Sequence, residues 1–504
     1  MACTDQLVYL KAEMPSDRES DIKDEFYLFA PPTPIEVVAA RNFDIQRYPS
    51  DILACIFRHW RDIWLTHLVH GIKRGTIHYG LNAPFVLQAV CRRWRDIARG
   101  DPRLWADLFI SCGARNRRLN RRLDIIIERA RNTSLAVYIQ DVHPGIFERA
   151  WFEDMRKILN PTFTRWARLT MSFVQADDVH ALLQVWPLQC DRLQQITFYG
   201  SVDGIPANTL PLSFPHAVAP IRIIHLRNIV WWQSRTFAGL REIAIGPSHA
   251  CLLTQNVIAS VLAATPNIQR LKLLAFERAD IPLPTHGLPK TFRLLYLRSL
   301  AASPVVLRTT LVGFDSPDIL PALANVSIHF DAQEEEETVE DNDNARREED
   351  LRGVGVFLRP HFTTALKLRG LDEGYSPEAV TRWVFAPMNS SRVQTMHFVD
   401  CVGHTTDFIV QALKKVPYDV PGISSNQSRG HRMLQTRGVP TGGYVFLFPL
   451  LMTLRLTRCR DVDGSPIAEA LMAGSPHPLH QLELRDSDID SDQYNRILAL
   501  LDRR

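Results

Sequence analysis

Few side chains in this chain stand where their types and spacing could do chemistry. Cys91 lies beside Arg92, Arg93 and Arg95, and nearby cations lower a thiol's pKa and favour the nucleophilic thiolate. A thiolate catalyst also needs a positioned base, and no histidine can be argued to sit beside Cys91. Cys401 and His404 have the Cys-x-x-His spacing of two zinc ligands, but a structural zinc site takes four and the flanking residues supply no others. Arg115, Arg117, Arg118, Arg121 and Arg122 form a basic cluster of the kind that serves nuclear import or anionic surfaces. Asp124 and Glu128 share its helical pattern, so the cluster reads as a solvated helix face with weak local ion pairs. The chain has no phosphate-cradling glycine loop, no Gly-x-Ser-x-Gly elbow and no His-Glu-x-x-His helix. The expectation is a protein with no catalytic residues, no metal and no cofactor.

With no catalytic constellation, function has to come from surfaces, and surfaces from the elements that build them. The 504 residues are 46% hydrophobic and 22% charged, a balance that fills several buried cores and excludes a disordered or fibrous chain. A net charge of +3 from 58 basic and 55 acidic residues is too even for a protein devoted to a phosphate backbone, so nucleic acid is not an expected partner. The eight cysteines are scattered without a Cys-x-x-Cys pair, which points to reduced thiols in cytoplasm or nucleus. The first twenty residues carry Asp5, Glu13, Asp17, Arg18 and Glu19, so no signal peptide is expected. The longest apolar runs are about half a bilayer-spanning helix, so no membrane partner is expected either.

Residues 1–40, with mixed charge and the run Ala30-Pro31-Pro32-Thr33-Pro34, read as a flexible lead-in. Residues 41–110 form a first folded unit of short helical patterns. Beyond it, residues 117–131 place Leu119, Leu123, Ile126 and Ile127 on one helical face, and Leu135, Val137 and Ile139 alternate as in a strand. An apolar-x-x-apolar-x-apolar pattern then recurs. Its clearest copies are Leu451/Leu454/Leu456, Leu479/Leu482/Leu484 and Val393/Met396/Phe398, and these resemble leucine-rich repeats. Looser copies sit at Trp166/Leu169/Met171, Leu193/Ile196/Phe198, Ile221/Ile224/Leu226, Ile268/Leu271/Leu273, Phe292/Leu295/Leu297 and Leu323/Val326/Ile328. Such a pattern suits short strands whose following helices cover one side, each unit closing its core against its neighbours. A mixed α/β domain whose strands share a pattern is the other reading. The expected class is α+β: a small all-α helical module followed by an irregular α/β leucine-rich-repeat-like solenoid over residues 111–504. Mobile insertions are expected near 331–350, which holds eleven acidic residues, and 416–443, rich in Gly, Ser, Asn and Pro.

The most specific stretch begins Tyr48-Pro49-Ser50-Asp51-Ile52-Leu53-Ala54-Cys55-Ile56-Phe57 and continues, after a polar interval, with Val90-Cys91-Arg92-Arg93-Trp94-Arg95-Asp96-Ile97-Ala98 and Pro102-Arg103-Leu104-Trp105. Proline in the first turn, with Ser50 and Asp51 at the positive end, starts a helix. In type and order these pieces resemble the F-box family pattern, and the whole chain resembles fungal F-box-like proteins with irregular leucine-rich repeats. It departs from the pattern at Tyr48, where leucine is usual, and in the longer interval 60–82.

The resemblance implies a substrate-recognition subunit of a Skp-cullin-F-box ubiquitin ligase. Pro49, Ile52, Leu53, Ile56, Phe57, Val90, Cys91 and Trp94 would meet the Skp-type adaptor, which links to a cullin, while the repeats recruit an unknown protein target. By physics alone the same residues could form the core of a small helical unit. The alternative function is a protein-interaction scaffold without ubiquitin-ligase association.

Overall fold

The computed structural model describes residues 48–73, 83–111, 123–142, 157, 159–173, 191–200, 221–227, 239–248, 255–275, 293–309, 311, 318–330, 343–386, 392–417, 444–473 and 478–502. By proximity the chain divides into two compact units, Met1–Ile56 and Phe57–Arg504. The lead-in 1–40, the arginine cluster of 115–122, and residues 331–342 and 418–443 lie outside the described residues.

Helix α1 (Ser50–Lys73) opens with Asp51 in its first turn, and the Pro49 carbonyl accepts the Leu53 N–H at 3.1 Å. Pro84 falls in the first turn of α2 (Ala83–Val90), where its missing N–H costs nothing. Helix α3 (Arg92–Gly100) ends at Asp101, whose carboxylate caps the 3₁₀ turn Pro102–Trp105 by accepting the Arg103 N–H at 3.1 Å. That turn leads directly into β1 (Asp107–Ser111).

Twelve more strands follow β1 into one sheet: β2 (Leu135–Val142), β3 (Trp166–Phe173), β4 (Gln195–Gly200), β5 (Ile223–Arg227), β6 (Glu242–Ser248), β7 (Arg270–Ala275), β8 (Ser299–Ala302), β9 (Asn325–His329), β10 (Ala365–Arg369), β11 (Thr395–Val399), and, after an antiparallel pair of β12 (Lys415–Pro417) with β13 (Tyr444–Phe446), β14 (Thr453–Thr457) and β15 (Gln481–Arg485). Every neighbouring pair in this sheet is parallel, and the spatial order is the order of the chain, so β1 and β15 are its edges. Parallel neighbours require crossover connections. The helices lie in these crossovers: α4 (Leu123–Ala130), α5 (Gln255–Ala263), α6 (Pro304–Thr309), α7 (Asp343–Leu358), α8 (Pro377–Val380), α9 (Thr405–Leu413), α10 (Gly464–Ala473), with α11 (Ser491–Asp502) closing the chain.

Two apolar rows cross the sheet, made in most strands by the second and fourth residues, in β2 by the third and fifth and in β3 by the fourth and sixth. One runs in register through Leu108, Leu169, Leu271, Leu366, Leu454 and Leu482; the other runs through Ile110, Met171, Leu273, Leu368 and Leu456. All of these are buried, each side chain contributing roughly 1.5 to 3 kcal/mol of apolar burial. The alternate residues face the other way and most are half-exposed.

The expected α+β class, a separate all-α module followed by a solenoid, is corrected. From Phe57 onward the chain is one α/β unit built on a thirteen-stranded, all-parallel sheet. The helices before β1 are tied into that sheet. The Trp105 indole donates to the Ala98 carbonyl at 2.7 Å, the Arg129 guanidinium of α4 lies 4.5 Å over the Trp105 ring and donates to Gln88 of α2 at 2.9 Å, and the Ala136 N–H of β2 reaches the Ala106 carbonyl at 2.8 Å. The apolar pattern located strands but carried no information about how the preceding helices would pack.

One copy of the pattern is shifted. Phe292/Leu295/Leu297 suggested a strand around Leu295, whereas β8 begins at Ser299 and uses Leu297, Leu300 and Ala302, leaving Leu295 exposed. Leu297 fits either register, and only pairing with β7 chooses between them. The acidic stretch 331–350 also contributes to regular structure: residues 343–350 form the first half of α7, where Asp350 and Leu351 are buried and Arg308 meets Glu349 at 2.6 Å.

The register predicts a sharp contrast between two leucines five positions apart. Leu300→Ala removes a fully buried row residue and is expected to cost roughly 2 to 5 kcal/mol. Leu295→Ala is expected to stay within about 0.5 kcal/mol. Urea unfolding of the two variants checks this, and equal losses would place the strand in the other register.

Candidate functional site

The residues expected to dock an adaptor divide by exposure. Leu53 and Phe57 are 0% and 1% exposed, whereas Ile52, Ile56 and Val90 are 43%, 42% and 57% exposed; Pro49 is exposed too. Phe57 packs on Trp94 with ring centroids 4.7 Å apart. Cys91 is the N-cap of α3: its backbone is extended and its sulfur accepts the Trp94 N–H at 3.5 Å. This is the position at which a serine hydroxyl commonly caps a helix, and it gives Cys91 a structural use. On α1, Trp60 and Ile63 are also exposed and follow Ile52 and Ile56 at the helical spacings i+8 and i+11, which place all four on one stripe. Val86 is exposed one turn before Val90 on α2. The same periodicity could have added Trp60, Ile63 and Val86 to the expected set.

The stem of α1 is fixed by charge. Arg58 pairs with Asp101 at 3.2 Å, and Arg61 donates to the Arg103 carbonyl and lies 3.6 Å from Asp107. The last distance is an ion pair without a hydrogen bond, and Asp107 Oδ2 has no hydrogen-bond partner among the described residues. Burial pushes the Asp107 carboxyl up to about 6, outweighing the lowering by Arg61 and Arg168. Asp107 begins β1 on the sheet face where Phe109 stacks on Tyr138 at 4.6 Å. Burial pushes the Tyr138 phenol up to about 12 and raises Tyr199.

Farther along the same face the residues are charged. His225 contacts Glu242 at 3.1 Å, and Arg270 reaches that carboxylate at 3.4 Å. Lys272, Lys367, Arg369, His397 and Arg455 stand half-exposed or exposed on β7, β10, β11 and β14. Arg455 pairs with Glu483 at 2.8 Å, and Asp400 is held by Arg369 at 3.1 Å and by Arg458 at 2.5 and 2.7 Å. Burial by itself would raise Asp400, but the Arg458 hydrogen bond and the charges of Arg369, Arg458 and Lys367 hold it below the usual carboxylate range. Asp400 and Arg458 both adopt left-handed backbone, with φ of 53° and 54°, a conformation costly outside glycine. The sequence reading named none of this charged face.

The structure does not bring Cys401 and His404 into one ligand set. Cys401 is buried, with its thiol bonded to the Val399 carbonyl and to Cys459, whereas His404 faces Asp407 at 3.3 Å. The hydrogen bond that the Cys401 thiol donates to the Cys459 sulfur, together with burial, holds Cys401 well above the usual thiol range, as befits an inert core thiol. Among the described residues no group of three or more His, Cys, Asp or Glu side chains is arranged to hold a metal ion, and no helix is long and apolar enough to cross a membrane. No protein-family model matches the chain, and no curated protein matches it.

The buried carboxyl gives a pH signature. Asp107 binds its proton more tightly in the folded state, at about 6, than at its ordinary value of 3.8. Stability from this group is therefore greatest below about 4, falls as pH rises toward 6, and stays reduced above it. Asp107→Asn cannot ionise and is expected to flatten that decline, as measured by urea unfolding at steps between pH 4 and pH 7. An unchanged slope would assign the decline to another group.

Proposed function

We propose that the chain is a substrate-recognition subunit of a Skp-cullin-F-box ubiquitin ligase, acting in cytoplasm or nucleus and performing no catalysis itself. The α1–α3 region binds the Skp-type adaptor, and through it a cullin, while the sheet recruits a protein target. The observation that carries this reading is the exposed apolar stripe of Ile52, Ile56, Trp60 and Ile63 on α1, in the segment whose motifs resemble the F-box. Large apolar side chains aligned on one exposed helix face suit helix-to-helix docking, because burying each against a partner is worth roughly 1.5 to 3 kcal/mol.

A scaffold without ligase association is the second reading. It is favoured by Leu53, Phe57 and Trp94, which use much of the motif's apolar surface internally. Adaptor capture separates the two. Changing Ile52, Ile56 and Val90 together to serine is expected to weaken capture of a purified Skp-type adaptor by about a hundredfold or more, equivalent to at least about 2.7 kcal/mol, with helix content and melting temperature retained. Leu53→Ser is expected to lower the melting temperature instead, since it buries an unpaired hydroxyl in place of a leucine. Absence of adaptor capture by the unaltered chain would leave the scaffold.

A further inference from the structure

The third residues of the central strands form a row in register: Lys272 on β7, Ala301 on β8, Ser327 on β9, Lys367 on β10, His397 on β11 and Arg455 on β14. Short side chains separate the cations. The first residues of the same strands are also short from β8 onward, being Ser299, Asn325, Ala365, Thr395 and Thr453. The face therefore consists of small, mostly polar groups crossed by a few long cationic side chains. Six cations line it, Arg270, Lys272, Lys367, Arg369, Arg455 and Arg458, against the carboxylates Glu242, Asp400 and Glu483. Lys367 lies at its centre, acting electrostatically on His329, His397 and Asp400 at once.

We propose that this face, from β7 to β14, binds an extended acidic polypeptide segment of the recruited target, with Lys272, Lys367 and Arg455 each meeting a carboxylate. Strands lie about 4.8 Å apart, so Lys272 and Lys367, three strands apart, are separated by about 14 Å, and Lys367 and Arg455 by about 10 Å. An extended chain advances about 3.4 Å per residue and turns alternate side chains to one side, so carboxylates at positions i, i+4 and i+6 of a peptide running across the strands all face the sheet and come within about 3 Å of the cation spacings, inside the reach of long Lys and Arg side chains. Spacings this wide exceed the reach of one small anion. Among the described residues, β7 to β14 put no Phe, Tyr or Trp side chain on this face, and single-stranded nucleic acid binds chiefly by stacking its bases on aromatic side chains. The existing pair of Arg455 with Glu483 is largely exposed, so exchanging it for a ligand carboxylate sacrifices little.

Burial, with Lys272, Arg369 and Lys367, pushes His329 down to about 3, and burial, with Lys367 and Arg455, pushes His397 down to about 4. Both rings are neutral near pH 7 and add no charge to the face; His329 is buried against Ser327 at 3.0 Å, and His397 is half-exposed.

The assignment rests on the proposed recruiting role of the sheet and not on adaptor binding, and the test keeps the two apart. The probe is a fluorescein-labelled Gly/Ser peptide bearing glutamate at i, i+4 and i+6, titrated with the full chain and followed by anisotropy. Saturable binding that weakens with added salt is expected, together with a loss of roughly fivefold or more in the double variant Lys272→Gln, Lys367→Gln. A charge-swapped pair guards against misfolding: Lys272→Glu, Lys367→Glu is expected to bind a peptide carrying lysine at the same positions. Equal binding of a glutamine-for-glutamate peptide, no response to the double variant, or tighter binding of single-stranded DNA than of the peptide would each overturn the proposal. The Lys→Gln variant is expected to capture the adaptor normally, and the Ile52, Ile56 and Val90 variant to keep peptide binding. Failure of either reading thus leaves the other standing.

Discussion

Everything in this protein hangs on the register of one parallel sheet. Side chains alternate across a strand, so slipping any strand by one residue would turn Leu271 outward and Lys272 into the core. The same choice is made at every strand, as Leu366 pairs with Met396 and Lys367 with His397. A slip would expose two aliphatic side chains per strand, forfeiting roughly 1.5 to 3 kcal/mol for each, and would bury charge at a cost of several kcal/mol more. Display of charged residues on the open face is therefore a consequence of the core and needs no separate device.

A parallel sheet is usually covered on both faces. Here the apolar rows are buried and most of the alternate residues are only half-buried, which makes the polar face the unusual feature of the fold. The two edges are managed differently. At β1, Asp107 and the Arg61 side chain tie the edge strand to α1. At β15, Gln481, Glu483 and Arg485 line the open side and Leu484 is only half-buried, so polar and charged side chains discourage pairing with another chain.

Strands were the most legible part of the sequence, because an apolar-x-x-apolar-x-apolar spacing records which residues a strand must bury. Leu169 and Met171, Leu271 and Leu273, and Leu454 and Leu456 all stand in the rows that spacing implied. Where the spacing was ambiguous it misled, since Leu297 serves equally as the end of one triplet or the start of the next. Where the first position was polar it was silent: β10 follows a buried Thr363 and was not anticipated. Fold class was not legible at all, because the contacts that join α2, α3 and the Trp105 turn to the sheet are made by Gln88, Arg129 and a backbone carbonyl, which carry no periodic signal. Lys272, Lys367 and Arg455 were equally invisible, being 95 and 88 residues apart in the chain and gathered only by pairing.

The start of α1 shows why its motif could be read while its individual residues could not. Apolar residues at i, i+1, i+4 and i+5, as in Ile52, Leu53, Ile56 and Phe57, form two stripes about 100° apart on a helix. A helix packed along one side can bury only one of them. Leu53 and Phe57 take the inner stripe and Ile52 and Ile56 the outer, a division that depends on the helix's rotation about its own axis. Phe57 meets Trp94, and this contact helps fix that rotation. The motif thus contains its own division, one residue of each doublet buried to hold the helix in place and the other left exposed.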